Sequence, residues 1–476
     1  MILKTISPLR VYFKSKMYYN SSKFNDPITQ IYCHSDRTET TMKKYILVLT
    51  MLSMIIILTG CKTSSKDDSK ENISPAISAS PAPTAALTDA PAIPDVTSSP
   101  EADGKEPSLE TDSPGPSPEA DPSGVSDPSD SSDPASSSDY ASIADNIIRD
   151  MTLEEKVGQL FFVRCRRETA EADIKKYQPG GYILFAPDFT DGSRESVSRT
   201  IHNYQKLSAL PLLIGVDEEG GTVNRISRYP AFRSEPFRSP QELYAEGGMD
   251  RIASDTLEKA QLLKSLGINV NLAPVCDISV NPEDFIYRRS FGQDADATAE
   301  YVKTVVEAMY SERIGSTLKH FPGYGNNADT HTGIAIDDRS LESFYEYDFL
   351  PFKAGIAAGA GSILVSHNIV NSMDPDYPAS LSAKVHRILR EELEFDGVVM
   401  TDDLSMEAVT GYTNHQAAAI LAIQAGNDLV VASDYQLQIP AVIDAVKNRT
   451  ISEDQINDAV KRVLIWKLSL QLEFKD

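Results

Sequence analysis

The chain contains little of what several common classes of protein require. It has 4 cysteines and 1 tryptophan among 476 residues, and its formal net charge is −24. No group of cysteines and histidines has the spacing of a zinc site, and no basic patch or nucleic-acid-binding motif is present. Since an acidic balance also disfavours nucleic acid, we predict no metal site, no cofactor and no nucleic-acid partner.

Long apolar runs are also scarce, and the most pronounced one belongs to a leader. It covers residues 45–59, follows Lys43 and Lys44, and ends in the motif Leu-Thr-Gly-Cys at 58–61. This length is short for a membrane span but typical of a cleaved signal peptide. We predict a lipoprotein signal peptide at residues 42–61 that leaves a lipid on Cys61. A plain transmembrane anchor is the alternative.

The 41 residues ahead of this leader are polar and carry scattered charges. We interpret residues 1–41 as an extension that results from a start codon assigned too early. The mature protein would then be lipid-anchored to the cell membrane, on its extracytoplasmic face.

Residues 62–139 lack phenylalanine, tryptophan and tyrosine. They are rich in Ser, Pro, Ala and Asp, and hold 16 acidic residues against 4 lysines, which is half of the net charge of the chain. Such a segment cannot bury enough apolar surface to offset the entropy of ordering it. We predict a disordered acidic linker that acts as a stalk.

Two cysteines, Cys165 and Cys276, fall in the remaining part of the chain. An exported protein could pair them, but both lie in apolar, strand-like runs. We therefore expect buried free thiols.

Residues 140–476 have a globular composition in which apolar runs alternate with amphipathic stretches. Helices are expected at 298–312 and 382–393, and a capping box at Thr152–Glu155 should begin another that ends at Gln159. We predict strands at residues 160–163, 181–185, 212–216, 269–273, 315–318, 362–365, 397–400 and 428–431. The pattern predicts an α/β fold, a single (β/α)8 TIM-like barrel.

Ionisable side chains follow five consecutive predicted strands, from the third to the seventh. They are Asp217, Asp277, Lys319 with His320, His367, and Asp402 with Asp403. Because the carboxyl ends of the strands of such a barrel share one face, catalytic groups collect there. We therefore predict an active site on this face.

The most informative stretch is the run Lys-His-Phe-Pro-Gly-Tyr-Gly at 319–325, followed by Asp329-Thr330-His331. An aspartate two residues before a histidine can orient the imidazole and stabilise its charged form. The intervening Gly and Asn residues permit an irregular loop. The pair is typical of a proton-transferring group, although it could also be an ordinary hydrogen-bonded loop.

Together these residues resemble glycoside hydrolase family 3, specifically its single-barrel β-N-acetylglucosaminidase branch. The similarity covers about residues 142–470. The matching motifs lie at 215–221, 271–277, 289–292, 319–325, 329–331 and 401–406. The sequence departs from the family pattern at Glu218, Thr222 and Tyr324, where Gln, Arg and His are common.

The resemblance implies a role for each site residue. Asp402 would be the nucleophile, and His331 the general acid/base assisted by Asp329. Hydroxyl groups of the terminal sugar would be bound by Asp217, Arg289, Lys319 and His320, with His367 as a further candidate. Two alternatives remain open on the residues: Asp403 as the nucleophile, and Glu283 or Asp284 as the proton donor.

The expected function is that of a retaining exo-β-N-acetylglucosaminidase, a β-N-acetylhexosaminidase. It would remove terminal β-GlcNAc from peptidoglycan fragments or chitooligosaccharides through a covalent glycosyl-enzyme. Two alternatives are a β-N-acetylglucosaminide phosphorylase and a non-catalytic sugar-binding lipoprotein at the cell surface. We expect a monomer whose partners are its carbohydrate substrate and, through Cys61, the membrane.

Overall fold

The computed structural model describes residues 137–327 and 333–475. The predicted extension, the signal peptide with Cys61, and the linker up to residue 136 lie outside the described residues. So do Asp329 and His331. No helix in the described ranges is long and apolar enough to cross a membrane.

Eight parallel strands form the centre of the fold. They are β1 Phe161–Arg164, β2 Gly181–Leu184, β3 Leu213–Val216, β4 Val270–Asn271, β5 Gly315–Phe321, β6 Ser362–Val365, β7 Val398–Thr401 and β8 Val430–Ala432. Their order in the sheet is β7-β6-β5-β4-β3-β2-β1-β8, and every pairing in it is parallel. Each strand therefore has its sequence neighbours beside it, as in a (β/α)8 barrel.

The two end strands of this order, β7 and β8, meet and nearly close the barrel. A parallel bridge joins Met400 to Leu429, and the N–H of Thr401 donates to the carbonyl of Leu429 at 3.2 Å. The hydroxyl of Thr401 also accepts from the N–H of Val431 at 3.0 Å. These contacts leave little of either strand edge unpaired.

Helices surround the strands. The described α-helices of four or more residues are Ser137–Asp150, Leu153–Gln159, Ala170–Tyr177, Arg194–Leu207, Pro240–Leu266, Ala295–Ser311, Phe349–Ala357, Ala383–Arg387, Glu407–Thr410, His415–Ala425, Tyr435–Lys447 and Glu453–Ser469. Two short ribbons lie at the carboxyl ends of the strands. One pairs Glu218–Gly220 with Val223–Asn224, and the other pairs Ile336–Asp337 with Ile369–Val370.

The predicted barrel is confirmed, with all eight strands within three residues of their expected bounds. The capping box at Thr152 is present, since its side chain accepts from the N–H of Glu155. The helix expected at 382–393 instead changes to a π-helix at Ile388–Glu392. The first helix begins at Ser137, inside the end of the predicted linker.

Apolar side chains fill the interior of the barrel. Phe162, Leu213, Val270 and Met400 are fully buried there with neighbouring strand residues, and Trp466 of the last helix packs against them. A larger apolar layer lies between strands and helices. Cys165 and Cys276 are buried and free, as expected.

Candidate active site

A cavity of about 280 Å³ opens at the carboxyl ends of the barrel strands. The described residues that line it are Ile183, Phe185, Asp217, Glu219, Val223, Arg225, Leu272, Arg289, Lys319, His320, Tyr324, Leu364, Asp402, Asp403, Ser405, Met406 and Val431. Five of the predicted site residues, from Asp217 to Asp402, therefore meet in one cavity.

A larger cavity of about 390 Å³ lies beside Cys165, Ser196 and Tyr204. None of the predicted site residues lines it. Volume alone does not identify a functional site. We therefore place the candidate site in the smaller cavity, where the ionisable groups converge.

Lys319 lies at the centre of the charged groups of the cavity. Its Nζ is 2.7 Å from Oδ1 of Asp217 and 2.7 Å from Oε1 of Glu219, and the residue is 2 % exposed. Burial opposes its charge, but the two carboxylates more than offset this and raise the pKa of Lys319 above its ordinary value. The ammonium therefore remains charged and fixed in position.

Glu219 joins Lys319 to Arg289. Its carboxylate accepts from Nε of Arg289 at 3.0 Å and from Nη2 at 2.8 Å, in a bidentate pair. Burial opposes the ionisation of Glu219, but the adjacent Lys319 and Arg289 more than offset this and hold the pKa of its carboxyl well below the usual range. Glu219 thus fixes two cations that face the cavity.

A buried aspartate orients His320. Oδ2 of Asp277 lies 2.7 Å from Nδ1 of His320 and also accepts from the backbone N–H of that residue at 3.1 Å. Nε2 of His320 is 3.2 Å from Nη2 of Arg289, which can only donate. The hydrogen bonds therefore favour the tautomer with its proton on Nδ1, directed at Asp277.

Lys319 and His320 are consecutive residues, and both line the cavity. The peptide bond between them is cis. Regular strand alternation would direct two consecutive side chains to opposite faces, so their joint presence in the site is a feature of the tertiary structure.

Asp402 and Asp403 follow β7, and both line the cavity. Oδ1 of Asp402 accepts from the N–H of Asp403 at 2.8 Å. The carboxylate of Asp403 accepts from the N–H of Ser405 at 2.9 Å and from the hydroxyl of Ser433 at 2.7 Å. Asp403 therefore holds the turn after β7 and the loop after β8. The role of Asp402 as nucleophile stays a prediction.

His367 follows β6 but does not line the cavity. It is fully buried. Its Nε2 lies 3.1 Å from the carbonyl oxygen of Asp403, and its Nδ1 lies 2.7 Å from the hydroxyl of Ser380. The structure thus gives it a position behind the turn that carries Asp402, rather than one among the groups that face the cavity.

Arg225, for which the sequence predicted no role, also lines the cavity. Its Nη2 lies 3.9 Å from Oδ2 of Asp217, and its guanidinium lies over the ring of Phe185. An arginine eight residues after Asp217, next to a Gly-rich turn, was the available signal. The ribbon formed by Glu218–Gly220 and Val223–Asn224 brings it back to the site.

Glu218, which stands where Gln is common in the family, is fully buried and hydrogen-bonded. Its buried carboxylate accepts from the N–H groups of Arg225 and Ile226, both at 2.8 Å, and of Ser227 at 3.1 Å. All of these partners donate hydrogen bonds to the carboxylate. The contacts hold the segment that carries Arg225 into the cavity. Thr222, a second departure, is exposed.

Tyr324, the third departure, is 2 % exposed and contacts His320 edge-to-face at 5.1 Å. The peptide group before it is held at both ends. Its N–H donates to Asp277 at 2.8 Å, and the carbonyl of Gly323 accepts from Nη2 of Arg339 at 3.2 Å. Asp329 and His331 follow this segment in the sequence and lie outside the described residues, so their predicted roles stay predictions.

Of the two alternative proton donors, Glu283 is exposed, and Asp284 accepts from the hydroxyl of Ser279 at 2.8 Å. Neither lines the cavity.

The residues that line the cavity offer a carboxylate on its β7 side and a fixed set of charged hydrogen-bonding groups on its β3–β5 side. This arrangement can hold a polyhydroxylated ring and attack it from one face.

The chain matches the model of the glycosyl hydrolase family 3 N terminal domain over residues 152–465. It is 33 % identical to a β-hexosaminidase of Idiomarina loihiensis over 298 residues, which cover 62 % of this chain and 87 % of the relative. A β-hexosaminidase of Xylella fastidiosa is 32 % identical over 292 residues, 60 % of this chain and 85 % of that protein.

Solved structures of β-N-acetylglucosaminidases and β-N-acetylhexosaminidases are also similar to this chain. A glycoside hydrolase family 3 β-N-acetylglucosaminidase from Paenibacillus superposes with a TM-score of 0.64 at 29 % identity, covering 67 % of this chain and 63 % of that one. A β-N-acetylhexosaminidase from Beutenbergia cavernae gives 0.60 at 28 % identity, covering 66 % and 98 %. The predicted enzyme class, a glycoside hydrolase of the β-N-acetylhexosaminidase type, is confirmed. The chain belongs to glycosyl hydrolase family 3.

Proposed function

We propose that the protein is a retaining exo-β-N-acetylglucosaminidase that removes terminal β-GlcNAc through a covalent intermediate on Asp402. One observation carries the proposal: the linked charges of Asp217, Lys319, Glu219 and Arg289 lie in the same cavity as Asp402. The β-hexosaminidase relatives support GlcNAc as the terminal sugar.

The size of the cavity supports exo action. At about 280 Å³ it lies just below the usual volume of ligand sites, about 300–1,000 Å³, and suits one sugar ring rather than an oligosaccharide. The hydroxyl groups of that ring would face Asp217 and Lys319. Its anomeric carbon would face Asp402, on the other side of the cavity.

The chemistry then follows a double displacement. Asp402 attacks the anomeric carbon and displaces the aglycone, while His331 protonates the glycosidic oxygen. Water, activated by His331 acting as a base, releases the sugar with retained configuration. Asp329 stabilises the imidazolium.

We further propose that a lipid on Cys61 anchors the enzyme at the outer face of the cell membrane, and that the acidic linker separates it from the bilayer. This location suits peptidoglycan fragments or chitooligosaccharides as substrates. The support is the basic and apolar leader with its lipobox at 58–61.

The test uses nitrophenyl β-GlcNAc with nitrophenyl β-glucoside as the control. We expect hydrolysis of the first substrate, with β-GlcNAc as the first-formed anomer by NMR, and little action on the second. Added phosphate should not yield a sugar 1-phosphate. Absence of turnover would support a sugar-binding protein instead, and formation of GlcNAc 1-phosphate would support a phosphorylase.

A further inference from the structure

Another cavity, of about 640 Å³, lies at the amino ends of the barrel strands. Its lining includes Pro211, Ile268 and Ile314, which shortly precede β3, β4 and β5. The candidate active site lies at the carboxyl ends of the same strands. The two cavities are therefore at opposite ends of the barrel, and the residues around this one have no part in the chemistry proposed above.

The charge of this cavity is opposite in sign to that of the chain. Lys206, Lys264, Arg313 and Lys475 line it, whereas Glu473 is its one acidic lining residue within the described ranges. The chain as a whole has a formal net charge of −24. Because like charges around one concave surface repel one another, a bound anion would stabilise this cluster.

Two of the four cations have no acidic partner. Lys264 pairs with Glu312 at 3.4 Å, and Nζ of Lys475 donates to the carbonyl of Lys206 at 2.9 Å. The side chains of Lys206 and Arg313 form no ion pair in the part of the chain that the structure describes. Their charges are therefore available to a ligand.

The wall of the cavity also contains a buried hydroxyl group and apolar side chains. Ser208, which caps the helix Arg194–Leu207, is 1 % exposed, and its Oγ has no hydrogen-bond partner among the described residues. Buried polar groups are rarely left unpaired. Leu472 and Phe474 line the same cavity and are half-buried. The cavity thus combines cations, a free hydroxyl and an apolar surface.

We propose that this cavity binds a phosphate-bearing amphiphile, supplied by the headgroups of anionic phospholipids in the membrane. The phosphate accepts charge-assisted hydrogen bonds from Lys206 and Arg313, and a further hydrogen bond from Ser208. The upper part of the acyl chains contacts Leu472 and Phe474. The inference goes beyond the hydrolytic reaction and rests on the proposed anchor only for the source of the ligand.

A membrane is the source that the proposed anchor favours. A tether that holds the domain near a bilayer raises the effective concentration of headgroups around it, and cations near an anionic surface each strengthen binding. Contact through the amino ends of the strands would direct the mouth of the active site, at the opposite end, away from the bilayer. The enzyme would then face substrates outside the membrane.

The test measures flotation of residues 62–476 with vesicles, because this chain keeps the linker and every described residue but carries no lipid. We expect binding to vesicles of phosphatidylglycerol mixed with phosphatidylcholine, and none to phosphatidylcholine alone. Added salt should weaken it. The double change Lys206→Gln with Arg313→Gln should lower the affinity roughly 10- to 30-fold.

Ser208→Ala separates a defined site from diffuse attraction between charges. It removes no charge and no described hydrogen bond of the hydroxyl, so the Tm should be retained, while the affinity for the anionic vesicles should fall about threefold to tenfold. The matched control is Arg199→Gln with Lys303→Gln, which removes two exposed cations that do not line the cavity. All of these variants should keep the native turnover of nitrophenyl β-GlcNAc.

Three results would overturn the inference. They are no binding to the anionic vesicles, an equal loss of affinity in the control and in the double variant of the cavity, and an unchanged affinity of Ser208→Ala. Binding of glycerol phosphate in solution without binding to vesicles would overturn the lipid as the source. Each result leaves the proposed hydrolysis standing, since turnover of nitrophenyl β-GlcNAc tests it separately, and fractionation of the full chain tests the anchor.

Discussion

Glu219 and Arg289 form a bidentate pair at the centre of the site, with Nη2 and Nε of the arginine 2.8 and 3.0 Å from the carboxylate oxygens. The same carboxylate lies 2.7 Å from Nζ of Lys319. One acidic side chain therefore balances two cations that the family resemblance assigns to sugar binding. Its contribution can be measured separately from that of the reacting groups.

Glu219→Gln should lower both stability and catalytic efficiency. Removing one partner of a buried ion pair costs about 3–5 kcal/mol, and misplaced cations should lower kcat/KM roughly 100-fold. The pKa of Glu219 in the folded protein lies below its ordinary value. The stabilising effect of its charge is therefore complete above the ordinary pKa, and it is lost as pH falls through the folded-state pKa. Denaturant unfolding should therefore give the same difference from the native protein at neutral and mildly alkaline pH.

Glu246→Gln serves as the control for this variant. Glu246 forms exposed pairs with Arg238 and Arg251, at 3.1 and 3.3 Å. Its loss should cost no more than about 1 kcal/mol and leave kcat/KM unchanged. Similar effects of the two substitutions would mean that Glu219 does not organise the site.

Asp402→Asn should reduce turnover by at least about 10³-fold, because it removes the nucleophile. Asp403→Asn should be milder, since Asp403 bonds to Ser405 and Ser433 in the protein. A 5-fluoro sugar that accumulates the covalent intermediate, followed by peptide mapping, identifies the labelled residue. Label on Asp403 would reverse the assignment.

His331→Ala should discriminate between leaving groups. A dinitrophenolate leaves without protonation, whereas a sugar requires a proton donor. General acid assistance is worth roughly 10²–10⁴ in rate, so the variant should lose far more activity on a disaccharide than on dinitrophenyl β-GlcNAc. Asp329→Asn should show the same pattern more weakly. Equal losses on both substrates would assign the donor to another residue.

Lys467 should make stability depend on pH. It is fully buried, its Nζ bonds to Oε1 of Gln159 at 2.7 Å, and burial lowers its pKa to about 7. Between this value and the ordinary lysine pKa, the unfolded chain binds more protons than the folded one, so native stability rises with pH there. Below about pH 7 the cost of burying the charge is fully present.

Lys467→Met should therefore gain stability relative to the native protein at low pH, on the order of 2 kcal/mol. The stability advantage of the variant should shrink as pH rises toward 10. The measurement is the Tm of both proteins across this pH range. Lys447→Met, which removes an exposed pair with Glu154, should show little of this trend. A pH-independent difference for Lys467→Met would mean that the amine stays charged in the folded state.

Cys61→Ala should release the protein from membranes or leave it unprocessed, because a lipid on this residue is the proposed anchor. Fractionation with metabolic lipid labelling distinguishes the outcomes. Ser65→Ala, a neighbouring change outside the lipobox, should leave anchoring intact. Native protein that is soluble in the medium without proteolysis would contradict the anchor.

The sequence by itself determined the barrel and most of the residues in its mouth. Eight apolar runs separated by amphipathic stretches permit few other arrangements, and parallel strands expose their carboxyl ends on one face. Residues directly after strands, such as Asp217 and Asp402, could therefore be placed in a common site before any contact was known. This information is local in the chain.

Only the tertiary structure decided how these residues act on one another. Glu219 meets Arg289 across 70 residues, and His320 meets Asp277 across 43. His367, also at a strand end, lies behind Asp403 instead of facing the cavity. Strand position fixes the end of the barrel at which a side chain lies. The direction and the partners of that side chain depend on loops that only packing brings together. Burial strengthens each of these charged and hydrogen-bonded pairs.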